Sequence, residues 1–287
     1  MNDVAVFWWV LSALAVAFVL VDWKHAPIDA TMHIGFVLIV AFMGPLGLLL
    51  YVLTVREPLP HTHAQYIAPL WKQVVGSTFH CVAGDSVGIV GAALITSYLR
   101  VPMLPGLLIE YGAGFSVGWL IFQALFMKNM VGGSYKKALA SMFMPEWLSM
   151  NGVMAGMALV MVVWVKWQPT AGIPSHVRFW FMMSMALIAG AIIAYPINWW
   201  LVSHGRKHGL MSTAKEADHE DLAQGQKARV RAPNNGRPLA PPGRIIAMHH
   251  HDSSATRVAP YAPAIVMWSI GLLAATFLVA LWLGYGI

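Results

Sequence analysis

A chain of 287 residues in which 58% are hydrophobic and only 10% charged lies far from a soluble domain, where about a quarter of residues carry charge. With mean hydropathy at +0.63, an integral membrane protein is expected. The net charge of +6 is carried in loops between apolar runs, which is an orientation signal and not a nucleic-acid-binding stripe. One cysteine excludes an internal disulfide and any cysteine-cluster zinc or iron–sulfur centre.

A spanning helix needs about 20 largely apolar residues. Seven runs qualify: 4–21, 33–55, 73–99, 105–127, 138–166, 178–202 and 262–285. The first lacks a basic leader and reads as a retained helix, not a cleaved signal peptide. Gly44-Pro45 predicts a kink in the second, Pro145 a break in the first third of the fifth, and Pro196 a distortion near the end of the sixth. Placing the N-terminus in the cytoplasm puts fourteen of the 18 lysines and arginines in inside loops. The expected fold is therefore an all-α, polytopic transmembrane helical bundle of about seven spans, N-in and C-out. The stretch 212–261 mixes acids, arginines, Pro and Gly without apolar period, and reads as a mobile basic cytoplasmic linker.

Chemistry concentrates in the third run. His80, Cys81 and Asp85 fall within six residues of an apolar helix, and an intramembrane ionisable group is costly enough to mark a functional site. Cys81 and Asp85 share a helical face, and His80 flanks them. Gly84, Gly88 and Gly91 beside His80 suit close helix packing. In the fifth run, Met142, Glu146, Met150, Met154, Met157 and Met161 form one helical stripe. Thioethers suit copper(I), although methionine also fills irregular packing.

Depth offers an independent reading. At 1.5 Å per residue, His80 lies about 12 Å beyond Lys72, Glu146 about 13 Å beyond Lys137, and Asn198 about 12 Å beyond Arg206. These three helices are expected to meet at one level, with Gln123 deep enough to join them. Glu110 is expected to pair with Arg100. His33 and His176 lie at other depths, so a bis-histidine haem is not expected.

Phe79-His80-Cys81-Val82-Ala83-Gly84-Asp85 resembles the His-Cys-x-x-Gly opening of a prokaryotic integral-membrane family known only as domain of unknown function 4396. Tyr195-Pro196-Ile197-Asn198-Trp199-Trp200 through Gly205 and His208 resembles its closing signature, and Met144-Pro145-Glu146 looks like the glutamate of its third core helix. The resemblance covers about 71–211. It divides the chain into two N-terminal helices (1–70), a four-helix core (71–211), the linker (212–261) and a C-terminal helix (262–287). Asp85 stands where the family pattern often has a second Cys. The resemblance implies a bacterial inner-membrane location and copper-handling or multicopper-oxidase-type partners, besides the lipid bilayer itself, with no nucleic acid.

The expected function is transport or delivery of a transition metal, copper(I) favoured, so that copper is the expected ion. His80, Cys81, Met150 and Met154 are the candidate ligands. Asp85 and Glu146 are the candidates for charge balance or proton relay, with Asn198 and Gln123 as polar support. His204 and His208, four apart, and His249, His250 and His251 in the linker are secondary metal candidates. A non-catalytic assembly or accessory subunit is the alternative. A membrane enzyme with Cys81 as nucleophile and His80 or Glu146 as base stands last, because adjacent residues diverge by about 100° on a helix.

Overall fold

The computed structural model describes residues 2–26, 28, 30–57, 63–128, 133–210 and 261–285; the linker expected at 212–261 lies outside them except for its last residue. Nine α-helices are described: α1 (Asn2–Asp22), α2 (Ala30–Thr54), α3 (His63–Ile67), α4 (Leu70–Tyr98), α5 (Met103–Ser116), α6 (Ala124–Lys128), α7 (Tyr135–Trp167), α8 (Val177–Ser203) and α9 (Pro263–Tyr285). A π-helical segment, Val117–Gln123, joins α5 to α6. Seven stretches are long and apolar enough to cross a membrane, and the protein is a multi-pass membrane protein. Large apolar side chains of α1 and α9, such as Phe7, Leu14, Leu278 and Trp282, are exposed, as a lipid-facing surface requires.

The second stretch folds back on itself. Gly44 adopts φ 55° and ψ −132°, with Pro45 after it. Phe36 and Tyr51 then meet with ring centroids 5.4 Å apart, where a straight helix would hold them about 22 Å apart. Tyr51 donates its hydroxyl to Asp22 Oδ2 at 3.1 Å, and Arg56 pairs with Asp22 Oδ1 at 3.6 Å. Both ends of α2 therefore lie beside the end of α1. A Cβ on Gly44 would overlap Ser12 Oγ and crowd the Trp8 ring, so only glycine fits the bend. At the tip, Ser184 of α8 donates its hydroxyl to the Phe42 carbonyl, replacing water that hydrocarbon cannot supply.

This reversal changes the topology. Asn2 Oδ1 accepts from Arg178 Nε at 2.9 Å, and Lys166 Nζ donates to the Leu283 carbonyl at 3.5 Å. The two ends of the chain thus share one face, and the opposite-face placement expected from seven full crossings is corrected. Lys24, expected on the face of Arg178, belongs with Arg56, Lys72 and Arg206 on the face that carries the linker. Pro145 does not break α7, which runs unbroken from Tyr135 to Trp167. Proline removes one helix bond, and packed neighbours tolerate that loss.

α4 is the centre: 20 of its 29 residues are buried, and it packs against α2, α5, α7 and α8. Its small residues make this possible. A Cβ on Gly88 would overlap the Ala113 backbone, and one on Gly84 would come within 3.0 Å of Gly118 Cα. Across α7, Tyr111 donates to Asn151 Oδ1 at 2.8 Å and Asn151 Nδ2 donates to Ser269 Oγ at 3.3 Å, tying α5 and α9 to it.

Single cysteines in a Cys81→Ser background test the fold-back. A membrane-impermeant maleimide should label Asp3→Cys and Lys166→Cys from one side, and Lys24→Cys and Lys136→Cys from the other. Labelling of Asp3→Cys from the Lys136→Cys side would refute the reversal.

Candidate functional site

The site forms where α4, α7, α8 and the π-helical segment meet. Cys81 and Asp85 lie one turn apart on α4, with Sγ 3.6 Å from Asp85 Oδ2. From α7, Glu146 Oε2 and Ser149 Oγ each lie 3.1 Å from the same sulfur. A thiol has one proton, so it donates to one of these three acceptors at a time. From α8, Asn198 Nδ2 donates to Ser149 Oγ at 2.9 Å and to the Ala194 carbonyl at 3.2 Å. Cys81, Asp85, Glu146, Ser149 and Asn198 are all fully buried. One donor atom from each of Cys81, Asp85 and Glu146 lies within 4.8 Å of the others.

A lysine completes the cluster. Lys207 Nζ donates to Glu146 Oε2 at 3.3 Å, with the lysine side chain 2% exposed. It arrives by a turn past the end of α8, where Gly205 takes φ 63° and the Arg206 amide donates to the Leu201 carbonyl at 2.8 Å. That left-handed glycine is a common helix terminator, and here it sends the chain back into the bundle. Burial opposes the charge of Lys207, but Cys81, Glu146 and Asp85 more than offset it, and its pKa is raised.

The remaining carboxylate oxygens converge elsewhere. Asp85 Oδ1 and Glu146 Oε1 accept no hydrogen bond within the described structure. Both point at Gly118, where a Cβ would overlap Asp85 Oδ1 and lie 2.7 Å from Glu146 Oε1. Gly118 sits in the π-helical segment, a feature that is frequent at functional sites. In their ordinary ionised forms the two carboxylates carry two negative charges, and Lys207 supplies one positive. One negative charge is left in a sealed interior, which a proton or a bound cation must offset.

The other expected residues fall into two places. His80 is outside this cluster; its ring meets Phe122 edge-on at 5.9 Å. With Gln123, Met142 and His208 it lines a small cavity on the linker face. Met150 and Met154 are fully buried in the core, continuing the α7 stripe beyond Glu146. His204 and His208 do not form the expected helical chelate, because α8 stops at Ser203. His204 instead stacks on Trp200 with ring centroids 4.5 Å apart. His249, His250 and His251 lie outside the described residues. Sequence reasoning missed Lys207, Ser149 and Gly118. Gly205 before Lys207 was the available sign of a turn, and Ser149 lies three residues from Glu146 on α7.

Breaking a buried ion pair from one side leaves an uncompensated charge, at a cost of about 3–5 kcal/mol. Lys207→Met should lower the thermal unfolding midpoint accordingly, and adding Glu146→Gln should restore most of the loss. A double variant as unstable as the sum of the two singles would show that the pair is not coupled.

No curated protein and no solved structure matches the chain at a significant level. The family model described as Domain of unknown function (DUF4396) matches residues 70–207, which hold Cys81, Asp85, Gly118, Glu146, Ser149, Asn198 and Lys207. Residues 70–207 thus carry the domain of that uncharacterised family.

Proposed function

We propose that this protein moves a transition-metal cation, copper(I) by preference, through a binding centre at Cys81, Asp85 and Glu146. The observation that carries the reading is a fully buried cluster in which the Cys81 sulfur lies beside two carboxylates that have one lysine between them as counter-ion. With both carboxylates ionised one negative charge is left over, which a proton or a monovalent cation offsets, and a sulfur ligand suits a soft cation. Zinc-like metal–sulfur bonds of about 2.3 Å and metal–oxygen bonds of about 2.1 Å make tetrahedral edges of about 3.6 Å. Cys81 Sγ lies at that distance from Asp85 Oδ2, and Glu146 Oε2, at 3.1 Å, has to move outward to share an ion with the sulfur.

A soft route runs along α7. Met142 lines the cavity shared with His80 and His208, and Met161 lines a second cavity at the opposite end. Between them lie Glu146, Met150, Met154 and Met157. The axial distance from Met142 to Met161 is about 28 Å, close to the thickness of a bilayer's hydrocarbon core. The π-helical segment flanks the centre, as interrupted helices flank the sites of many transporters. When the ion binds to the thiolate, the Cys81 proton passes to Asp85 Oδ2, 3.6 Å away, so that the thiolate and the Glu146 carboxylate balance the ion and Lys207. Asn198 holds Ser149 against the sulfur throughout. The excess of basic residues on the linker face favours a cytoplasmic position for that face.

Elemental analysis of detergent-purified protein tests the reading. Copper should be retained by the wild type and lost, by at least tenfold, in Cys81→Ala and in Glu146→Gln. Because a proton competes for the same leftover charge, retention should weaken as pH falls from 7 to 5. Unchanged copper content in both variants would sink the proposal. Metal-free wild type with a stoichiometric partner would favour an accessory subunit instead.

A further inference from the structure

Glu110 stands apart from the centre, near the start of α5 on the face opposite the linker. Its residue exposure is 5%. Thr96 of α4 donates its hydroxyl to Oε1 at 3.4 Å, while Oε2 is buried and accepts no hydrogen bond. The ion pair expected with Arg100 is not formed within the described structure: the ion pairs found there join Asp22 to His25 and Arg56, and Glu146 to Lys207. Arg100 terminates α4 with a positive φ of 52° and leaves its side chain exposed.

The carboxylate faces a cavity of about 290 Å³ lined by Thr96, Arg100, Met103, Met161 and Met182, among others. At about 30 Å³ per water, that space admits a hydrated ion. A buried carboxylate with an open oxygen needs a proton or a cation. The three methionines turn that need toward a soft ion, because thioethers are soft ligands on flexible stems. Met161 is also the last member of the α7 stripe that begins at Met142.

We infer that Glu110, with Met103, Met161 and Met182, forms a second binding site for a soft monovalent metal cation, a station on the face opposite the linker. The identity of the ion rests on the proposed function; the site itself does not. One carboxylate and thioethers balance one positive charge. Arg100 in the same cavity repels the ion, which suits a site meant to release rather than retain.

Anaerobic titration of the full chain in lipid nanodiscs with copper(I), against a chromogenic copper(I) chelator, tests the site. Glu110→Gln should lower the stoichiometry by one ion relative to wild type, and Glu146→Gln should remove a different one. Met161→Leu with Met182→Leu, which keeps volume and packing, should weaken the Glu110-dependent ion at least tenfold. Wild-type stoichiometry in Glu110→Gln would overturn the inference, as would unaltered affinity in the methionine double variant. Loss of an ion with Glu110→Gln but none with Glu146→Gln would uphold this site and defeat the central one.

Discussion

The buried charge pair between Glu146 and Lys207 is the constraint around which the bundle is arranged. Two ions in so dry a place have lost their hydration, a cost that is offset only if each finds a partner. The structure meets that demand from separate elements. Glu146 comes from the middle of α7. Lys207 comes from beyond the end of α8, turned inward by Gly205. Because Asp85 of α4 brings a further carboxylate, the pair closes the charge balance only if a proton or a cation joins it. That requirement is a property of three elements together, and none of them carries it alone.

Packing serves that cluster. Glycines at 84, 88, 114 and 118 let α4 and the α5–π segment approach until Gly118 cradles both free carboxylate oxygens. The fold-back of α2 at Gly44 keeps both ends of that helix on one face, while Met32 of its first half lines the cavity of His80 and His208. Close backbone contact and irregular helices are expensive in lipid unless protein groups satisfy the backbone. Here Ser184 takes that part at the tip of α2.

Lined up along α7, the cavity at Met142, the cluster at Glu146 and the vestibule at Met161 and Glu110 occupy successive levels of one helix. Sulfur and imidazole donors at the linker end, carboxylates and a thiol in the middle, and thioethers with Glu110 at the far end are the pattern the proposed soft cation would follow. The methionines between them are packed into the hydrophobic core. Passage along that route therefore requires these side chains to shift.

Much was legible in residue order. Apolar runs of about 20 residues predicted the helices because hydrocarbon demands internal backbone bonding. Counting 1.5 Å per residue from flanking basic residues brought α4, α7 and α8 to one level, and periodicity put Cys81 and Asp85 on one face. Tertiary structure decided what periodicity cannot carry. Whether Gly44-Pro45 kinks or reverses α2 depends on what packs against it, so the parity of crossings followed from Trp8, Ser12, Asp22 and Ser184. His80 left the cluster because a step of one residue turns it to another neighbour. Lys207 joined it because a glycine past the helix end sends the chain back into the bundle. Local sequence determines which face a residue occupies on its own helix; only the packing of the other helices determines what that face meets.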